Sequence, residues 1–369
     1  MMNRPKIYIC IVASLIVFIN TLISQEHQYY FYHPEYEYGT ELSFSPFTAL
    51  VNGGYDVLRN GSHENNGGTI NVFQLDYKQG FLNVWDNISN PFYHIRKYGS
   101  KRFIETELIP ASLNPDEAQW VPNYIHHVFG SGMLYVRMAE WYDYHNYKLP
   151  YVYSIITTLS YQFLNEAIEN NHSKITNVDP IADILIFNPL GILLFSFNGI
   201  KSFFSQKVCL YDWSLQPVFN PANSYLENAG LEFAIKYRPS SWENYSLFCQ
   251  FGIDGLFGVS YSIDNENNIS MGIGTIVNRL QENIVNDSRL ITPTTDGAFG
   301  LFYDRNNSLL TSVIITGPHM YNARINIYPG LFNIGRIKPG FYLAFGEWDH
   351  FLIGITAARI PIGLLSGID

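Results

Sequence analysis

Residues 120–197 read WVPNYIHHVFGSGMLYVRMAEWYDYHNYKLPYVYSIITTLSYQFLNEAIENNHSKITNVDPIADILIFNPLGILLFSF. Apolar residues recur here at three- and four-residue steps, the period of a helix rather than of a strand. Three helices are expected. Pro122 suits a first helical turn, where its missing N–H would have been unpaired anyway, and the first helix runs from there to about Tyr144. Within it Gly130-Ser131-Gly132 lets another helix come close. Pro150 opens the second helix, which ends near Asn170. Asp179-Pro180 opens the third, with Asp179 as a structural cap for the free N–H groups and Pro180 in the first position. Pro189 is expected to kink or end that helix. The polar turn YDYHNYK makes the first two an antiparallel hairpin.

Beyond Ser205 the period drops to two. Phe257, Val259, Tyr261 and Ile263 alternate with Gly258, Ser260 and Ser262, and Ile269, Met271 and Ile273 alternate with Ser270 and Gly272. About ten such runs lie between Val208 and Leu365, separated by turns such as DNENN and DRNNS. One face is apolar and aromatic; the other is Gly, Ser, Asn and isolated charges. A soluble sandwich needs a strongly charged outer face, whereas small, weakly polar residues suit the cramped lumen of a membrane barrel. Upstream, residues 26–119 read as strands and loops: FTALV, TINVFQLDY, GFLNVW and Phe103–Ile109 look like strands, broken by the loop RNGSHENNGG.

Composition points the same way. Charged residues make up 15% of the 369 and aromatics 16%, with 27 Tyr and 26 Phe. Soluble domains carry roughly 25% charge. The formal net charge of −10 argues against nucleic acid, whose phosphates need clustered Lys and Arg. Residues 1–25 have the form of a secretory signal peptide: Arg4 and Lys6, an apolar run from Ile7 to Ile19, and Ser24-Gln25 near a cleavage point. Cys209 and Cys249 fall on apolar strand positions; they are open to a disulfide if their strands are neighbours, and otherwise remain free thiols.

The chemistry-bearing groups gather in the helical stretch: His126, His127, Glu140, Glu166, Glu169, Asp179 and Asp183. Glu166 and Glu169 share a helix face, as do Asp179 and Asp183 one helix later. An antiparallel hairpin brings the start of the first helix, with its two histidines, beside the end of the second. Converging carboxylates and an imidazole are how bundles build acid/base or metal sites. The candidate catalytic set is therefore His127, Glu166, Glu169 and Asp183. The plain alternatives are that Glu166 and Glu169 pair with Arg137 or Lys174, and that at most one histidine takes part. No phosphate-binding glycine loop, H-E-x-x-H, G-x-S-x-G or C-x-x-C occurs, so no cofactor is expected.

The segments WVPNYIHHVFGSGM, AEWYDYH, LNEAIEN and NVDPIADILIFNPLGILLF resemble an uncharacterised group of exported bacterial proteins. In these a P-N-Y…H…G-x-G, N-E…E, D-P-x-A-D…N-x-x-G segment precedes an outer-membrane-like β region. The resemblance covers about residues 100–200 and marks Asn123, His127, Gly130, Gly132, Glu140, Asn165, Glu166, Glu169, Asp179, Asp183 and Gly191. It implies a location in the outer membrane of a Gram-negative cell and carries no established activity. The resulting expectation is a mainly β protein: an antiparallel outer-membrane β-barrel of about 10–12 strands with a three-helix insertion at about 121–199, and strands before and after it. Its expected role is structural, or the binding and transport of a small or lipidic ligand, with membrane lipid as its partner. The alternatives are an envelope enzyme acting on lipid or glycan, and a soluble periplasmic β-sandwich.

Overall fold

The computed structural model describes residues 29–60, 70–110, 121–171, 177–252, 255–285, 288–317, 321–346 and 350–368. Residues 1–25, read as a signal peptide, lie outside them. The described part divides by chain order into a helical half and a strand half.

The helical half is larger than expected. Short α1 (Gly39–Ser43) and α2 (Pro46–Tyr55) come first, then α3 (Tyr77–Ser89), α4 (Pro91–Tyr98) and α5 (Ser100–Phe103). The runs FTALV, GFLNVW and Phe103–Ile109 are thus helical, and TINVFQLDY holds one tight turn at Val72–Gln74. Among the described residues before Leu210, strand pairing is confined to one isolated bridge, Asn71 to Tyr225. Local chemistry explains the helices. Ser45 accepts the Thr48 N–H and Asp76 accepts the Gln79 N–H, each capping a helix start. On α3 the buried positions are Gly80, Asn83, Val84 and Asn87, spaced at helical period, while Phe81, Leu82 and Trp85 face outward. Apolar residues therefore do not mark the buried face here, which is why a strand reading failed.

The expected three-helix segment is present. A π-helical stretch, Val121–Gly130, leads into α6 (Ser131–Tyr144). α7 is Pro150–Glu169, and the third helix runs from α8 (Asp179–Ala182) through a π-turn, Asp183–Phe187, into α9 (Asn188–Phe195). Pro189 does not end it. The π-turn, closed by the Asn188 N–H on Asp183 O, makes room for the ring and the missing donor. α6 and α7 are antiparallel, tied by Gln162 to Ser131, Ser154 to Tyr135 O, and Tyr142 to Thr157. Gly132 earns its place by contact: a Cβ there would stand 2.6 Å from the Phe195 ring and 2.9 Å from Gly191 O. α6 is buried all round from Ser131 to Glu140. α10 (Asn198–Ser202) and a π-turn at Phe203–Val208 close the helical half. No single described helix is long and apolar enough to cross a membrane.

Thirteen strands follow, all in one sheet: β1 (Leu210–Asp212), β2 (Val218–Asn220), β3 (Tyr225–Glu227), β4 (Phe233–Tyr237), β5 (Tyr245–Phe251), β6 (Gly255–Ser262), β7 (Asn267–Val285), β8 (Ser288–Arg305), β9 (Ser308–Thr316), β10 (Tyr321–Ile327), β11 (Pro339–Gly346), β12 (Phe351–Ala357) and β13 (Gly363–Ile368). The order is β1-β4-β5-β6-β7-β8-β9-β10-β11-β12-β13-β2-β3. Every pairing is antiparallel except that of β13 with β2. The helices thus precede the sheet instead of interrupting it, and the sheet exceeds the expected 10–12 strands because of the three-residue strands β1, β2 and β3.

This order forces curvature. β1 stands first and β2 twelfth; laid flat, eleven strand spacings amount to about 50 Å. Yet Asp212 and Val218 are joined by chain that reaches at most about 21 Å. The sheet must roll until its two ends come close, although β1 and β3, the edges, are not hydrogen-bonded to each other. The connection inside the roll is anchored across it: Trp213 packs on Phe248 and Phe302 and donates to Asn307 O, and Gln216 donates to Ile327 O. Side chains alternate accordingly. One register row, Ser260, Ser270, Phe302, Ser312, Asn326 and Tyr342, is buried on six successive strands. Buried charges there are paired, Lys236 with Asp304, and Gln250 donates to Glu232. Cys209 and Cys249 are free thiols. Helical elements touch β1, β3, β4, β7 and β9, strands from both edges and the middle of the sheet.

Candidate functional site

The end of α7, the start of the third helix and the π-helical stretch before α6 meet in a buried polar centre. Glu166 comes from the last turn of α7, Asp179 and Asp183 from α8 and the π-turn after it. One carboxylate oxygen from each of these three lies within 4.8 Å of the others. His127 closes the group, its Nε2 3.1 Å from Asp183 Oδ2. Glu166, Asp183 and His127 are all buried and Asp179 is half-buried. π-turns place two of the four, His127 and Asp183, and a third π-turn at Ile104–Leu108 brings in Glu107. Such turns widen the helix by one residue, so that neighbouring side chains can be aimed at one point.

Electrostatics follow from crowding. Burial first, then the charges of Glu169, Asp179 and Asp183, push the Glu166 carboxyl well above the usual range. Burial likewise raises Glu107 to about 7, against the lowering effect of its bonds from Thr106 and Asn123. His127 is raised despite burial, because Asp183 favours its imidazolium. His126 is pushed the other way, to about 3, by burial and then by the neighbouring His127.

The expected site residues separate cleanly. His127, Glu166 and Asp183 converge. Glu169 is half-buried and acts on Glu166 through its charge, but stands outside the three-carboxylate group. His126 turns to the Phe233 ring, 5.8 Å between centroids. Asp179 is not the cap: Val178 holds that position, and the Asn177 side chain accepts the Asp179 N–H. The Asp179 carboxylate is thereby left to face Glu166 and Asp183. Glu140 is elsewhere, accepting the backbone N–H groups of Tyr30, Phe31 and Tyr32 at 2.8–2.9 Å, and so pins the segment before α1. Arg137 does not pair with Glu166; it bonds Asp212 and Glu41. Lys174 lies outside the described residues. Sequence reasoning missed Glu107 and Asn188. Asn188 is buried, its side chain bonds His127, and its amide nitrogen finds no acceptor. Its place one π-turn after Asp183 cannot be seen in a pattern read at 3.6 residues per turn.

Chemically, the arrangement offers hard oxygen ligands, one imidazole and a carboxyl that exchanges a proton. Compared with family models, curated proteins and solved structures, the chain gives no match.

Proposed function

We propose that the rolled sheet is the wall of a β-barrel seated in an outer membrane, and that the protein is a membrane-anchored binding protein and not an open pore. The observation that carries this is the outward face. Phe257, Ile273, Phe299 and Ile315 stand side by side on four successive strands and are 66%, 69%, 39% and 48% exposed. Leu247, Val259, Met271 and Leu301 form the next exposed row, and Tyr237, Trp242, Tyr245 and Tyr261 rim one end. An apolar band of this size facing water would be costly; facing lipid, with aromatics at the interface, it is stabilising. Strands of seven to nine residues, as in β5, β6, β9, β11 and β12, cover about 20 Å when tilted, which suits a thin outer membrane.

Against conduction stands the interior, filled by Trp213, Phe248, Phe302, Tyr328 and the paired charges. Binding has a place at the rim, where a cavity of about 530 Å³ is lined by Lys236, Arg238, Glu243, Ser260, Asp264 and Asn306. Its polar walls favour a small polar solute over an acyl chain. An envelope enzyme using His127, Glu166 and Asp183 is the second reading, favoured by the His127–Asp183 contact; the burial of all three leaves little approach for a lipid or glycan. The test is fractionation. The protein is expected to stay in the membrane pellet after carbonate washing and to change gel mobility on boiling. Release by carbonate together with identical mobility before and after boiling would sink the barrel.

A further inference from the structure

We propose that Glu166, Asp179 and Asp183 bind a hard divalent cation of the Ca²⁺, Mg²⁺ or Mn²⁺ class, with His127 orienting the Asp183 carboxylate. The geometry needs little rearrangement. Oxygens within 4.8 Å of one another match ligands standing 2.1–2.6 Å from one ion. An all-carboxylate set with imidazole outside it selects a hard ion over a soft one.

An acidic cluster alone would be a weak argument, since a shared proton also relieves it. Two further observations point to a missing ligand. Asp183 Oδ1 is buried and has no hydrogen-bond donor apart from what the Glu166 carboxyl can supply. Beside His127, Asn188 is 1% exposed and its amide nitrogen finds no acceptor. Buried polar atoms are rarely left so. A cation on the three carboxylates satisfies Asp183 Oδ1 directly, and waters in its remaining positions supply partners for Asn188.

The experiment titrates Mn²⁺, Mg²⁺ and Ca²⁺ separately into EDTA-treated, detergent-purified full chain, reading binding heat and the thermal unfolding midpoint. At pH 7.5 the expected result is one saturable site for at least one of the three, with a rise in unfolding temperature. Asp183→Asn keeps the side-chain shape and is expected to fold, to be at least as heat-stable as the metal-free wild type, and to bind at least 30-fold more weakly. Glu166→Gln is expected to weaken binding at least tenfold, whereas Glu169→Gln, outside the group, changes it less than threefold. Absence of saturable binding up to 10 mM in folded wild type overturns the proposal, as does unchanged binding in both Asp183→Asn and Glu166→Gln. Because fractionation and heat mobility are read separately, failure here leaves the membrane reading standing.

Discussion

Arg137 of α6 joins α1 to β1, and its replacement is the sharpest test of how the helical and strand halves cohere. Its guanidinium, on the buried middle of α6, meets Asp212 of β1 at 2.6 Å and Glu41 of α1 at 2.8 Å, with the Phe44 ring 4.0 Å away. Arg137→Met retains most of the aliphatic volume but leaves two buried carboxylates without their cation. Breaking one buried pair costs about 3–5 kcal/mol. Since both acids share one cation, the expected total is about 4 kcal/mol, close to a thousandfold in the folded-to-unfolded ratio. The assay is urea unfolding in detergent micelles, followed by gel mobility and tryptophan fluorescence. A companion, Arg137→Met with Asp212→Asn and Glu41→Gln, neutralises the stranded acids and should recover all but about 1–2 kcal/mol. If Arg137→Met unfolds within 1 kcal/mol of wild type, or if the triple variant is no better than the single one, Arg137 is not the joint inferred here.

Two other outcomes follow from contacts already described. A Cβ on Gly80 would overlap the Ala167 carbonyl of α7, so Gly80→Ala should lower stability by about 2 kcal/mol, whereas Gly199→Ala, with nothing within 4 Å, should be neutral or gain up to about 1 kcal/mol; paired urea midpoints decide this. Burial raises Glu140 to about 7, overcoming the three backbone N–H bonds and Lys201 that act to lower it. A raised folded value means that its contribution is fully present below pH 4.5 and is lost as pH rises through 7, a fall of at most about 3 kcal/mol. Glu140→Gln should therefore have a flatter pH–stability curve than wild type between pH 4.5 and 7, and a constant offset between the two curves would refute the assignment.

Much of the site was readable before the fold. Pro150 and Asp179-Pro180 announce helix starts, and the helix opened by Asp179-Pro180 carries the Asp183 that meets both His127 and the Glu166 group. The change of period after Ser205 marks the start of the sheet. One cause of what could not be read is that apolar residues do not mark the buried face of α3. On α3 the core side is Gly80, Asn83, Val84 and Asn87 while Phe81, Leu82 and Trp85 lie outside, so a pattern read from apolar residues selects the wrong face and the wrong element. Strand order was also hidden, because the pairing of β1 with β4 and of β13 with β2 depends on distant partners and leaves no local mark. Glu107 and Asn188 were hidden for a third reason. π-turns displace a side chain by a fraction of a turn, and no single residue type signals where one forms.

The parallel pairing of β13 with β2 has a kinetic consequence. Gly363 and Val218 meet across about 145 residues, the longest-range ladder in the sheet. Hairpins from β4 to β12 can zip locally, neighbour onto neighbour, soon after each is made. β2 must wait for β13, with one side of a strand unsatisfied until then. Loop-closure entropy makes such a step slow, and an open edge in the meantime is a template for other chains. Assembly is therefore vulnerable at its last step, and whatever shields the waiting edge governs the yield of folded protein.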